Sequence, residues 1–224
     1  MNLPYIDIHT HKICNGEIVC VTNVFPNELR SGSSASGFFS CGIHPWYIKN
    51  DTDLEVQLQL IKNEISLDNF MALGEAGLDK LCDTPWELQQ VAFKKQITIS
   101  ENFQKPMIIH CVKAWDDILH FRKTEKPKNV WIIHGFNSSE QMAGQLIDSG
   151  CMLSFGSLIQ RSDSKAAKVL SVLNQKDFFL ETDDADINIE KIYKKASEIR
   201  NEETEKLKAQ QYNNFERIFG KLSQ

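Results

Sequence analysis

The chain has 224 residues, 42% of them hydrophobic and 25% charged, with a formal net charge of −5. That length allows one large domain, or two small ones, with a substantial core, and the composition is that of an ordinary soluble protein. The acidic balance argues against tight, nonspecific nucleic-acid binding through surface charge, which calls for a basic face. No apolar run approaches the roughly 20 residues that span a bilayer, so no membrane role is expected.

In chain order, runs rich in β-branched and aromatic residues predict strands at Tyr5–Ile8, Glu17–Val24 and Phe38–Ile43. Between His11 and Glu17 lie only the five residues Lys12–Gly16, too few for a helical crossover of about a dozen. Strand two is therefore expected to be joined differently or to run antiparallel. The link Pro26–Gly37, with its GSSASG segment, shows no helical pattern either. A helix follows over Leu54–Leu67, with apolar residues at 54, 58, 61 and 65 and Asp51/Thr52 as its capping signal.

Strand Phe70–Leu73 comes next, then a helix over Trp86–Phe103 opened by Thr84 and Pro85. Strand Met107–Ile109, helix Trp115–Lys123 and strand Val130–Ile133 continue the alternation. Helix Ser139–Ser149 has Ser138/Ser139 and Gln141 at its start and Gly150 as its stop. After it come strand Cys151–Phe155, helix Lys165–Leu173 and strand Phe178–Leu180. The polar stretch Asn188–Phe219 predicts two helices broken near Arg200–Glu203. Strand–helix alternation with eight strands implies a parallel α/β sheet closed as a TIM-like (β/α)8 barrel, distorted or incomplete around strands 1–3. No linker or repeat divides residues 1–224, so a single domain is expected.

The six cysteines form no C-x-x-C pair, and most sit inside apolar runs. They read as small buried hydrophobes in a reducing compartment rather than as a disulfide framework. The N-terminus lacks a basic region followed by an apolar one, so a cytoplasmic location is expected. Cys111 follows His110 directly, but neighbours on a strand point to opposite faces, so it is read as a core residue and not a nucleophile.

The histidines carry the chemistry. His9 and His11, His44, His110 and His134 fall at or just after the ends of successive apolar runs, together with Glu75 and Asp183. His-x-His on a strand puts both rings on one face, so both can reach one ion. Glu75 can use two oxygens to bridge two ions, His110 and His134 could bind the second, and Asp183 could return to the first or orient its water. Imidazole and carboxylate without thiolate suit Zn, Mn, Fe, Co or Mg. Two ions about 3.5–4 Å apart generate a hydroxide at neutral pH and stabilise an in-line attack on phosphorus. Asp183 is then the natural acceptor of the water's proton. His120, on a helix, is assigned to the surface.

These residues resemble, in order and over nearly the whole chain, the TatD family of metal-dependent hydrolases, often described as deoxyribonucleases. DIHTH is similar to its D-x-H-x-H, CGIHPW to its G-x-H-P, and GEAGLD to its G-E-x-G-L-D. The stretch QQVAFKKQITISENFQKPMIIHC resembles its Q-x-x-x-F-x-x-Q…P-x-x-x-H segment; HGFNSSEQMAGQLIDSGCMLSFG, LETD and NNFERIFG match further stretches. The resemblance implies two divalent ions (Zn, Mn or Mg), one held by His9, His11, Glu75 and Asp183, the other by Glu75, His110 and His134. It places His44 against the substrate phosphate and offers Lys113 as a further phosphate contact. Three departures stand out: the first crossover is missing, Trp46 replaces the family's second histidine in G-x-H-P-H, and the loop after LETD is shortened.

The expected activity is a two-metal phosphodiesterase or deoxyribonuclease, with Asp183 and Glu75 catalytic and a phosphodiester such as a single-stranded DNA end as substrate. The chain is expected to act as a monomer. Two alternatives are hydrolysis of a C–N or ester bond in a small substrate, which Glu75 in place of a modified lysine mildly opposes, and a non-catalytic metal-binding barrel.

Overall fold

Near-continuous apolar runs are what strands buried on both faces require, and each predicted run becomes a strand in the computed structural model, which describes residues 3–14, 17–29 and 37–221. The strands are β1 (Tyr5–Thr10), β2 (Ile18–Val24), β3 (Phe38–Cys41), β4 (Phe70–Asp79), β5 (Met107–Val112), β6 (Trp131–Ile133), β7 (Cys151–Phe155) and β8 (Phe178–Leu180). The helices are α1 (Asp51–Glu64), α2 (Trp86–Phe103), α3 (Trp115–Glu125), α4 (Glu140–Asp148), α5 (Lys165–Val172), α6 (Ile189–Arg200) and α7 (Thr204–Phe219). The strand order is β1-β2-β3-β4-β5-β6-β7-β8, and β1/β2, β3/β4, β4/β5 and β7/β8 pair in parallel. Thr10 bridges Asp183 in parallel, so the chain after β8 returns to β1. This is the TIM-like (β/α)8 architecture, with register irregularities in β1/β2 between Asp7 and Thr10 and in β3/β4 between Phe39 and Ser40.

The chain divides into two compact units, one formed by the residues up to Thr22 with those from Ile133 onward, the other by Asn23–Ile132. In the first, Tyr193 is fully buried; its hydroxyl donates to the Ile6 carbonyl at 3.0 Å and accepts from the Ile6 amide at 3.1 Å, tying α6 to β1. Phe155 packs edge-on between Phe136 and Phe178, with ring centroids 5.9 and 6.0 Å away. In the second unit Phe93 of α2 packs edge-on against Phe121 of α3 and Trp131 of β6, at 5.2 and 5.3 Å. Among the described residues, no helix is long and apolar enough to cross a membrane.

One open alternative is decided and two sequence expectations change. Strand β2 runs parallel to β1, with Tyr5 opposite Ile18 and the Tyr5 amide donating to the Glu17 carbonyl at 3.2 Å. A six-residue strand rises only about 20 Å, and the seven residues after it can span up to about 25 Å, so a return to the start of the sheet needs no helix. Strand β4 extends to Asp79 because Ala76–Asp79 pair with Ile109–Val112, which lengthens β5 as well. Glu75 and His110 consequently sit inside their strands rather than at the ends. Finally, Cys14 and Cys20 form a disulfide, with Cα atoms 6.3 Å apart, so two of the six cysteines are not reduced hydrophobes. Cys41 and Cys151 are buried, as expected.

Helix ends follow local chemistry. Asn50, one residue before the expected capping pair, caps α1 by accepting from the Asp53 amide at 2.9 Å. Ser139 caps α4 in the same way through the Met142 amide, and Gly150 follows with φ +84°. The break between α6 and α7 falls within Arg200–Glu203, as predicted, with Asn201 in the left-handed region. The GSSASG segment lies mostly outside the described residues.

Candidate metal centre

In the first unit, β1 delivers His9, which is fully buried, and His11 follows the strand with its side chain 28% exposed. Their Nε2 atoms lie 3.5 and 3.4 Å from Oδ1 of Asp183. Asp183 reaches them because its backbone is left-handed, at φ +53°, and is pinned on both sides. Its amide donates to the His9 carbonyl at 2.9 Å, and its carbonyl accepts from the His11 amide at 3.2 Å. His134, directly after β6, places its ring 4.6 Å from that of His9. Burial alone would raise the Asp183 carboxyl, but hydrogen bonds from His11 and His9, with the His134 charge, hold it well below the usual carboxylate range.

Behind His134 stands a carboxylate that sequence reasoning left without a role. Glu181 is fully buried, accepts the Gly135 amide at 2.6 Å through Oε1, and brings that same oxygen to 3.7 Å from Nδ1 of His134. A carboxylate behind a ligating imidazole fixes ring orientation and raises its basicity. The LETD stretch held the signal, but only its aspartate was singled out.

In the second unit, β4 and β5 bring Oε1 of Glu75 to 2.7 Å from Nδ1 of His110, and Nε2 of His44 approaches the same oxygen at 3.3 Å. The Glu75 amide donates to Oδ1 of the buried Asn23 at 2.8 Å. On the far side of His110, Nε2 lies 3.4 Å from Oδ2 of Asp79, which also accepts the Trp46 indole N–H at 2.6 Å. Asp79 is 2% exposed; burial raises its carboxyl, but hydrogen bonds from Trp46, Leu81 and His110 outweigh that and keep it below the ordinary value.

The glutamines of α2 give the Q-x-x-x-F-x-x-Q segment a physical role. Gln89, Phe93 and Gln96 recur at four and seven residues and therefore share one helix face. Gln89 accepts the Asp79 amide at 2.9 Å and donates to the Asp79 carbonyl at 3.0 Å. Gln96 likewise accepts the Ile43 amide at 2.7 Å and donates to its carbonyl at 3.1 Å. Two buried amides thus clamp the backbone at the end of β4 and just before His44, with Phe93 buried between them.

The donor set suits a divalent cation. The ligand atoms of His9, His134 and Asp183 lie within 4.8 Å of one another, and so do those of His44, Glu75 and His110. Imidazole with carboxylate and no thiolate is the chemistry of Zn, Mn or a similar ion. His44 stands with a ligand trio rather than apart from it. Lys113 is exposed just after β5 with φ +56°. His120 is exposed on α3, and burial pushes the Cys111 thiol up to about 12, so it is no nucleophile at neutral pH.

Comparison with known proteins bears on this geometry. A family model described as TatD related DNase matches residues 18–220, a span that begins after the His-x-His of β1. A protein of Haemophilus influenzae named an uncharacterized metal-dependent hydrolase is 28% identical over 220 residues, covering 89% of this chain and 80% of the relative. A similarly named protein of Buchnera aphidicola is 28% identical over 73% of this chain, which spans only 65% of that relative's length. Among solved structures, the TatD homologue YjjV of Escherichia coli matches with a TM-score of 0.84 at 21% identity, covering 99% of this chain and all of that one. A TatD family hydrolase of Entamoeba histolytica matches with a TM-score of 0.75 at 17% identity, over 99% of this chain and all of its own. These structures establish the shared fold, and the family model the membership: the chain belongs to the TatD family of metal-dependent hydrolases.

Proposed function

We propose that the chain is a metal-dependent phosphodiesterase that releases nucleotides from single-stranded DNA ends, acting as a monomer with two divalent ions (Zn, Mn or Mg). The observation that carries the reading is the pair of imidazole–carboxylate trios, each with a buried carboxylate near its histidine: Asp79 at 3.4 Å from His110 and Glu181 at 3.7 Å from His134. His9, His11, His134 and Asp183 in one unit, and Glu75, His110 and His44 in the other, are the residues that would hold the ions. When bound, such ions acidify the attacking water and neutralise charge on the phosphoryl oxygens.

The protein's own groups do the rest. Asp183, kept ionised by its hydrogen bonds from His11 and His9, would take the proton of the attacking water. Glu75 supplies negative charge between His44 and His110 and keeps both rings oriented. Lys113, exposed just beyond the end of β5, would meet a phosphate oxygen of the incoming strand. Asp183→Asn and Glu75→Gln should each lower metal-dependent nucleotide release from a single-stranded oligonucleotide by at least about a hundredfold, the usual scale for removing a general base. Full activity in both variants would remove the reading.

A further inference from the structure

Trp46 follows His44 and Pro45, and nothing in the hydrolytic reading uses it. It is 57% exposed, an unusual position for the largest side chain, yet it is held at several points. Its indole N–H donates to Asp79 at 2.6 Å, and its backbone amide donates to Nδ1 of His44 at 3.2 Å. The hydroxyl of Thr84 donates to the Pro45 carbonyl at 2.6 Å, fastening the 3-10 turn Pro45–Tyr47 that carries the ring. The ring lies 5.0 Å from that of His44 and 6.2 Å from that of His110. Beside it opens a cavity of about 440 Å³ lined by Trp46, Asp79, Leu81, Cys82, Thr84 and their neighbours. Leu81, on its rim, is 71% exposed.

A rigid, exposed aromatic beside a hydrolytic centre is preorganised to receive a flat group, because little side-chain entropy remains to be lost on binding. The remaining walls decide what kind. Asp79 and Asp83 both line the cavity, and among the described residues its lining holds no Lys or Arg. Lys80, next in sequence to Asp79, is paired with Asp117 at 2.5 Å and lies 5.0 Å over the Trp86 ring. A second phosphate would meet carboxylates there, whereas an uncharged ring bearing N–H donors would meet acceptors and an apolar face. The volume is within the range of small-ligand sites.

Resting on the phosphodiesterase reading, we propose that Trp46, anchored by Asp79, is the stacking platform for the base of the nucleotide being cleaved, with the cavity beside it as the base subsite. Trp46 is then a specificity residue. One sequence-tolerant base–aromatic stack should favour a base-bearing terminus over an abasic one about tenfold in kcat/KM. The test uses the metal-loaded full chain and two single-stranded oligonucleotides, identical except that the terminal residue of one is abasic. The wild type should prefer the base-bearing strand about tenfold, Trp46→Phe should keep most of that preference, and Trp46→Ala should abolish it.

A preference that survives in Trp46→Ala overturns the proposal, because a merely structural Trp46 would slow both substrates alike. Calorimetric binding of deoxyadenosine monophosphate to the same three proteins separates this inference from the activity it rests on. If no oligonucleotide is cleaved but binding weakens about tenfold in Trp46→Ala, the phosphodiesterase reading fails and the subsite stands. If cleavage proceeds and binding is independent of Trp46, the subsite fails and the activity stands. Neither cleavage nor binding overturns both.

Discussion

Asp7, two residues before His9 on β1, is only 2% exposed, and its carboxylate accepts both the amide of Thr182 at 3.0 Å and its hydroxyl at 2.6 Å. The same hydroxyl lies 2.9 Å from that of Thr10. This buried knot holds the residue immediately before Asp183, and so sets where the depressed carboxylate is presented. Burial dominates the Asp7 environment and pushes its carboxyl up to about 7, against an ordinary 3.8. The folded chain therefore binds a proton between about pH 4 and 7 that the unfolded chain has already lost, and stability falls as pH rises through that window. In metal-stripped protein, the stability of wild type relative to Asp7→Asn should decline over that range, by at most about 1.4 kcal/mol per pH unit. Urea midpoints measured from pH 4 to 7 check this; a constant difference would clear Asp7 of the effect.

At the scale of elements, the approach of β4 to β5 depends on having no side chain at two places. A Cβ at Gly77 would lie 1.9 Å from the carbonyl oxygen of its partner His110, and one at Gly74 would lie 2.5 Å from that of Ile108. Both contacts are with backbone, which cannot swing aside. Gly77→Ala should therefore spread the two strands, costing on the order of 1–3 kcal/mol and weakening metal binding through His110 and Glu75. Gly144→Ala, in α4 with nothing within 4 Å of the added carbon, is the control and should be neutral or stabilising by about 0.5–1 kcal/mol. Thermal melts and metal titrations on the two variants distinguish local crowding from a general intolerance of alanine. The apolar run that predicts this strand ends at Leu73, before the GEAGLD stretch. Two glycines and two acids interrupt the apolar run there, and only pairing with Ile109–Val112 carries the strand on to Asp79.

For the molecule as a whole, each unit brings its own trio of donors around buried or half-buried carboxylates. Anions gathered with polar rings in a dry setting repel one another unless a cation or a proton joins them, so metal should contribute to stability as well as to chemistry. Dialysis against a chelator should lower the melting temperature, and returning zinc or manganese at 100 times its dissociation constant should restore about 2.7 kcal/mol. Calorimetric melting of stripped and reloaded protein measures this; identical melts would show that the donor trios do not take up metal in the folded state.

By itself, the sequence determined the succession of strands and helices and the residue types of the centre. Both are written in short-range terms: apolar runs of strand length, a 3.6-residue period in helices, and His, Glu and Asp at the ends of those runs. Helix α2 and strands β7 and β8 fall within the limits their local patterns predict, and the break between α6 and α7 lies where the polar stretch was expected to divide. What only the tertiary structure decided is which distant groups meet. Trp46 and Asp79 are 33 residues apart, Gly135 and Glu181 are 46, and Asp7 and Thr182 are 175. The parallel course of β2 and the Cys14–Cys20 disulfide belong to the same class. Such pairings leave no period in the chain, because a hydrogen bond between buried groups is selected by where the folded backbone brings them, not by the residues on either side.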